Sequence, residues 1–270
     1  MTTDTGTAVD HYDRLLAEHY TWMLGGDVHE VADRQATLLS ELGLAGVEDG
    51  GTAIDLGCGS GAQTLALVRL GFSPVIAMDT SSRLLDELVA HAQGTGAVRP
   101  VHGDIRTVLP ETAEPGTVAA VVCMGDTLPH LTSKTDVPVL LGHIGRALAS
   151  GGHLVVTYRD LTAELRGSDR FIPVRSSDDR LLTCFLEYRD EDTVVVHDLL
   201  HTRTNGSSAG CLPGEHQVPR CRPDVRWRKR SSGPGSGTDS VNPARGRHGP
   251  WSVRAGRLCW SARGGRECSA

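Results

Sequence analysis

The sequence predicts an α/β protein, a three-layer sandwich whose central sheet is mostly parallel and doubly wound. Three observations carry this. Short apolar runs alternate with helical periods between residues 52 and 158, the pattern of parallel strands joined by crossover helices. The first run, AIDLGCGSGAQTLALVRLG (53–71), passes through a glycine-rich turn directly into a helix, the place where open parallel sheets bind ligands. The alternation then stops near residue 205, which bounds the folded part.

The elements follow in order. Residues 10–24 and 28–44 carry apolar or aromatic positions at helical spacing and predict an N-terminal helical lid within 1–50. The cofactor-binding core, 51–160, holds strand 52–57, helix 61–70, strand 74–79, helix 81–93, strands 98–102 and 117–123, helix 136–149 and strand 153–158. LLTCFLEY (181–188) and TVVVHDLLHT (193–202) flank Arg189-Asp190-Glu191-Asp192. They predict an added antiparallel hairpin on the substrate side, within 161–205.

Beyond Asn205 no strand or helix period survives. Residues 206–270 hold 11 Gly, 6 Pro, four of the seven Cys and three of the four Trp. Net charge changes from −14 over 1–205 to +8 over 206–270. This is the composition of a GC-rich coding sequence read out of frame from close to Asn205. The segment is expected to be a basic, disordered tail, with the last strands of the sheet missing. A genuine basic tail for an acidic partner is the alternative.

The 270 residues suit one α/β domain with small additions. No apolar run reaches the roughly 18 residues of a membrane span, and MTTDTGTAVDHYDR does not read as a signal peptide. A cytoplasmic protein without a membrane partner is expected. None of the seven cysteines makes a C-x-x-C pair, which argues against a metal or redox centre. Cys58 and Cys123, beside strand ends, read as small buried thiols. An acidic folded portion is a poor match for a nucleic-acid backbone.

The turn Gly57-Cys58-Gly59-Ser60-Gly61-Ala62 fits the dinucleotide pattern G-x-G-x-x-A and equally G-x-G-x-G. Its surroundings add information. Asp55 precedes the turn on an apolar strand, Asp79 ends the second strand, and Asp104 follows the third. A carboxylate at the position of Asp79 accepts both hydroxyls of a ribose, and one at Asp104 accepts from an adenine amino group. The spacing of Asp79 from the turn also suits NAD.

Together, AIDLGCGSG, VIAMDTS and VHGDIR resemble the first three motifs of class I, Rossmann-like S-adenosylmethionine-dependent methyltransferases, in order and spacing over roughly residues 10–205. The resemblance implies S-adenosylmethionine as cofactor. Gly57, Cys58, Gly59 and Gly61 with Asp55 would line its methionine part, Asp79 and Thr80 its ribose, and Asp104 and Ile105 its adenine. Cys123 and Met124, closing the fourth strand, would complete the cofactor side, and Tyr20 would close over it from the lid. Tyr12 and Trp22 resemble the same closing segment, and Trp22 reads equally well as helix packing.

VVCMGDTLPHL (121–131) and GGHLVVTYRDL (151–161) resemble the glycine N-methyltransferase-like branch, with its C-x-G-N-x-x-x-H-L segment and an arginine that grips a substrate carboxylate. Cys123, Gly125, His130 and Leu131 match the former, and Arg159 the latter. Asp126 stands where that branch has asparagine, which favours an ammonium or a hydroxyl donor. The acceptor implied is a small polar molecule, an amine. His130 would take its proton, Arg159 would clamp an anion or pair with Asp126 or Asp160, and Tyr158 would orient it. The competing readings are a nucleic-acid or protein methyltransferase, and a cofactor-binding protein made inactive by its C-terminal part.

Overall fold

The structure, a computed structural model, describes residues 16–44, 50–131, 133, 135–159, 161, 163–191, 193–204, 207–219 and 251–257. Tyr12 and Asp160 lie outside the described residues. The short helix α1 (Tyr20–Leu24) and α2 (Val28–Glu41) come first. The Asp27 carboxylate starts α2 by accepting from the backbone of His29 at 2.8 Å, as N-capping residues do.

Then strands and helices alternate: β1 (Thr52–Leu56), α3 (Ala62–Arg69), β2 (Val75–Asp79), α4 (Ser82–His91), β3 (Val98–His102), α5 (Ile105–Thr112), β4 (Val118–Cys123), a 3-10 turn at Leu128–His130, α6 (Asp136–Ala147) and β5 (Leu148–Arg159). These five strands are parallel, in the order β3-β2-β1-β4-β5. The chain moves outward from β1 in one direction and returns to its other side at β4. That reversal opens a crevice at the carboxyl ends of β1 and β4.

Both faces of the sheet are covered, which is why its central strands are apolar throughout. On one face Ile54, Leu56, Met78, Val121, Leu154 and Val156 pack with Leu109 of α5 and Leu140 and Ile144 of α6. On the other Ala53, Val75, Ala120, Val122 and Val155 pack with Leu39 of α2 and Leu67 of α3. Each fully buried Leu or Ile contributes about 1.5–3 kcal/mol. Among the described residues no helix is long and apolar enough to cross a membrane.

A second sheet, order β6-β7-β8-β9, is antiparallel: β6 (Phe171–Ser176), β7 (Arg180–Tyr188), β8 (Thr193–Thr204) and β9 (Ser207–Pro219). It contains the hairpin that the alternation predicted, in the register Cys184↔Asp198. Two elements lacked a sequence signal. Helix α5 is only eight residues long and contains Pro110, and β6, FIPVRS, is largely exposed.

Past residue 205 the structure differs from the expectation of missing strands. β9 pairs with β8, and β10 (Trp251–Arg257) pairs antiparallel with β5. Both lie at sheet edges. An edge strand needs one row of backbone hydrogen bonds and tolerates Pro and Gly, so a segment without apolar periodicity can fill it. The expectations for 205–206, 220–250 and 258–270 lie outside the described residues.

Candidate active site

The glycine turn is fastened to the second strand. Gly57 and Cys58 donate their backbone N–H groups to the Met78 carbonyl at 2.8 and 3.0 Å. Gly59 has φ +53, and a Cβ there would stand 2.6 Å from the Tyr20 ring. Gly57 has φ +72, and its Cβ would stand 2.2 Å from Thr127 Oγ1. Both positions therefore require glycine, and the turn lies directly beneath Tyr20 of α1. Gly61 forms the start of α3.

Three acidic residues occupy the strand ends, each in a different state. Asp55 is buried in β1 and accepts from Thr64 Oγ1 at 2.7 Å, tying the strand to the first turn of α3. Burial pushes its carboxyl up to about 7; the Thr64 hydrogen bond opposes this and the nearby Asp79 adds to it. Asp79 accepts from the Gly59 N–H at 2.8 Å on one oxygen and from the Ser81 N–H at 2.9 Å on the other. Thr80 between them presents its carbonyl to His102 Nε2 at 2.9 Å. Asp104 caps α5, just before the buried Ile105, and accepts from Arg106 Nε at 3.0 Å. The hydrogen bonds from Arg106 hold the Asp104 carboxyl below the usual range. Arg106 also reaches Asp136 at the start of α6, at 2.7 Å.

Burial, and then Asp79, Cys58, Asp55 and Asp126, push the Tyr20 phenol up, so it remains a neutral donor. Burial also raises the thiols of Cys58 and Cys123; neither is a thiolate at neutral pH. Met124 is buried, and its carbonyl accepts from Thr127 Oγ1 at 3.3 Å.

This cradle suits one kind of adenosine ligand. A carboxylate offers about four lone-pair positions. Asp79 gives one oxygen to each of two backbone N–H groups, from Gly59 and Ser81, which holds its carboxylate against the glycine turn. Asp55 and Asp79 together favour a ligand whose amino-acid end and sulfonium carry positive charge, and oppose a pyrophosphate.

At the ends of β4 and β5 stand the other predicted residues. Asp126 and Arg159 form an ion pair, with side chains only 9% and 12% exposed. His130 Nδ1 bonds the Asp126 carbonyl. Burial lowers the His130 pKa, with Asp126 opposing, so the imidazole is neutral at pH 7. The Gly125 N–H donates to Thr157 Oγ1 at 2.7 Å, which fixes this loop to β5. Tyr158 is not brought to Asp126 and Arg159. It packs in the layer of Leu154, Val156 and Leu140, because successive residues of a strand face opposite ways.

Two side chains near this pair were missed in the sequence. Asp198 of β8 is buried and accepts from Cys184 Sγ of β7 at 2.8 Å. Cys184 also lies beside Arg159, and the charge of Asp198 is felt at His130. The available signal was Asp198 itself, standing in the alternation Val194, Val196, Asp198, Leu200 where an apolar residue belongs. Trp22, read as lid or packing, stacks under the guanidinium groups of Arg180 and Arg175, at 5.0 and 5.8 Å from its ring.

Residues 53–152 match the family model described as a methyltransferase domain. This match spans the parallel core from β1 into β5. The glycine turn with Asp79 and Tyr20 suits S-adenosylmethionine in its chemistry. Solved structures repeat the fold at low sequence identity. An S-adenosylmethionine-dependent methyltransferase from Clostridium acetobutylicum matches with TM-score 0.55 and 18% identity, over 78% of this chain and 80% of that one. CalS10, an amino pentose methyltransferase from Micromonospora echinaspora, matches with TM-score 0.54 and 17% identity, over 76% and 82%. The sugar N-methyltransferase KedS8 from Streptoalloteichus matches with TM-score 0.55 and 14% identity, over 76% and 78%. A comparison with curated proteins finds no match.

Proposed function

We propose that the chain is an S-adenosylmethionine-dependent methyltransferase that transfers the methyl group to the nitrogen of a small polar amine, as a cytoplasmic enzyme without a nucleic-acid partner. The observation that carries the reading is the acceptor end of the crevice, where Asp126 is buried against Arg159 beside a neutral His130. The motif resemblance to the glycine N-methyltransferase-like branch supports the same class, with Asp126 in place of asparagine directing the site toward ammonium. CalS10 and KedS8, described as an amino pentose and a sugar N-methyltransferase, share the fold and are in keeping with an amine.

The bound cofactor supplies an electrophilic methyl group on a sulfonium. The protein's tasks are to hold, align and deprotonate. Asp79 would hold the ribose, Asp104 and Ile105 the adenine, and Tyr20 would cover the methionine end and exclude water. The acceptor nitrogen must stand about 3–3.5 Å from the methyl carbon, in line with the C–S bond. The bond from His130 Nδ1 to the Asp126 carbonyl makes Nε2 the basic nitrogen. It takes the proton from the acceptor's ammonium and frees the lone pair.

The test is labelled methyl transfer from S-adenosylmethionine to a panel of small amines, their hydroxyl counterparts, proteins and nucleic acids. Turnover on amines is expected. Turnover confined to hydroxyl compounds, protein or nucleic acid overturns the reading, and cofactor binding without turnover on any acceptor supports an inactive binding protein instead.

A further inference from the structure

Helix α1 ends at a turn, Gly25-Gly26, where three guanidinium groups gather. Arg175 donates to the Gly25 carbonyl at 3.0 Å. A Cβ built on Gly25 would stand 3.1 Å from Arg34 Nη2 and 3.9 Å from Arg175 Nη1. Arg175 and Arg180 share the Trp22 ring, at 5.8 and 5.0 Å from its centre. Like charges this close repel. Residues 1–205 carry a net charge of −14, so the cluster runs against the chain around it.

Few negative groups answer it. Among the described residues, Arg175 has no carboxylate partner. Arg180 faces Asp179 at 3.2 Å, with side chains 30% and 59% exposed, and His19 Nδ1 at 3.4 Å. Arg34 faces Glu30 at 4.0 Å, with side chains 61% and 71% exposed. Exposed pairs of this kind hold weakly.

A second observation points to a ligand. Trp22 Nε1 and Arg175 Nε are closed to solvent and have no hydrogen-bond acceptor among the described residues. Buried donors are ordinarily satisfied. An acceptor with negative charge meets both needs, the unfilled donors and the excess positive charge. A carboxylate, flat and with two oxygens, answers one guanidinium fork. A phosphate has a tetrahedron of oxygens and accepts from several forks at once.

We propose that Arg34, Arg175, Arg180 and Trp22 form a binding site for a phosphate group, and that phosphate held there fastens α1 to the second sheet. A helix of five residues has little order of its own. Tyr20 of the same helix covers Gly59, so phosphate and cofactor tighten each other. This last consequence rests on the methyltransferase reading above, and phosphate binding does not. The phosphate is either a free ligand or a group carried by the acceptor amine.

The full chain is titrated with inorganic phosphate at constant ionic strength, alone and then with S-adenosylhomocysteine. Saturable binding is expected, with slower hydrogen exchange in residues 19–25 and S-adenosylhomocysteine affinity raised about fivefold. Arg175→Gln and Arg180→Gln should each weaken phosphate about tenfold, and Arg175→Lys should recover only part of the loss. Arg34→Gln, at an exposed position, should weaken it about threefold with Tm unchanged, which separates binding from folding. Labelled methyl transfer to ethanolamine and glucosamine is then compared with transfer to their phosphate esters. Preference for the esters, with inorganic phosphate as a competitor, places the group on the acceptor. Faster turnover of the plain amines with inorganic phosphate makes it a free ligand. Phosphate that binds no better than chloride, or equally well in all three glutamine variants, overturns the site. Unchanged exchange in residues 19–25 at saturation overturns the fastening of α1. Phosphate binding without S-adenosylhomocysteine binding supports the site and overturns the methyltransferase reading instead.

Discussion

Asp79 joins the glycine turn to the end of β2 through the Gly59 and Ser81 N–H groups, and it is the residue expected to hold the ribose. Asp79→Ala removes charge-assisted hydrogen bonds. It is expected to weaken S-adenosylhomocysteine binding at least about tenfold, or ~1.4 kcal/mol, by calorimetry; unchanged affinity removes Asp79 from the site. Asp55 has a different signature. Its carboxyl titrates near 3.8 when unfolded and about 7 when folded. Between these values the folded state binds more protons than the unfolded state, so stability falls as pH rises through the window. Above 7 the penalty is complete, on the order of a few kcal/mol. Asp55→Asn keeps an acceptor for Thr64. It should melt above the wild type at pH 8 and flatten the dependence of Tm on pH between 4 and 7. Parallel Tm curves would show that no proton is held there. For the proton transfer proposed for His130, His130→Gln should lower kcat on the acceptor about 100-fold with little change in KM. The acid limb of the wild-type profile should fall below pH 6.5, since burial lowers the His130 pKa.

The element that links the glycine turn and the second sheet is α1. One of its side chains, Tyr20, covers Gly59, and another, Trp22, stacks under Arg175 and Arg180 of the second sheet. Arg175 also donates to the Gly25 carbonyl at 3.0 Å, just past the helix. A helix of five residues has little stability of its own, so these contacts set its position. Trp22→Ala is therefore expected to weaken cofactor binding several-fold, although Trp22 belongs to the sheet side of the helix and not to the glycine turn. It should also speed proteolysis before residue 25. Cofactor affinity equal to the wild type would show that Tyr20 finds its place without the stacking.

Across the whole molecule, β9 and β10 close the free edges of β8 and β5. A chain ending at residue 205 loses both and exposes two long apolar strands as unpaired edges. It is expected to aggregate on gel filtration, where the full chain elutes as a discrete species. Full activity in the shortened chain would show that neither edge strand is needed. The proposal of an out-of-frame origin for 206–270 has its own measurement, the gene. An alternative frame after codon 205 should encode a helix followed by an apolar strand pair, and its absence in both frames ends the proposal.

The sequence by itself determined the parallel core, the glycine turn and the acidic residues at the strand ends. Those features are local: periodicity fixes which face is buried, and a backbone of positive φ fixes glycine. The long strand pair of the second sheet was legible for the same reason. Short α5, exposed β6 and the edge strands β9 and β10 left no such pattern, because edges are held by backbone hydrogen bonds that any sequence supplies. Only the tertiary structure brought Cys184 of the second sheet beside Arg159 at the end of β5. The meeting of a strand from one sheet with a loop from another depends on how the sheets pack, and spacing along a chain carries no record of it.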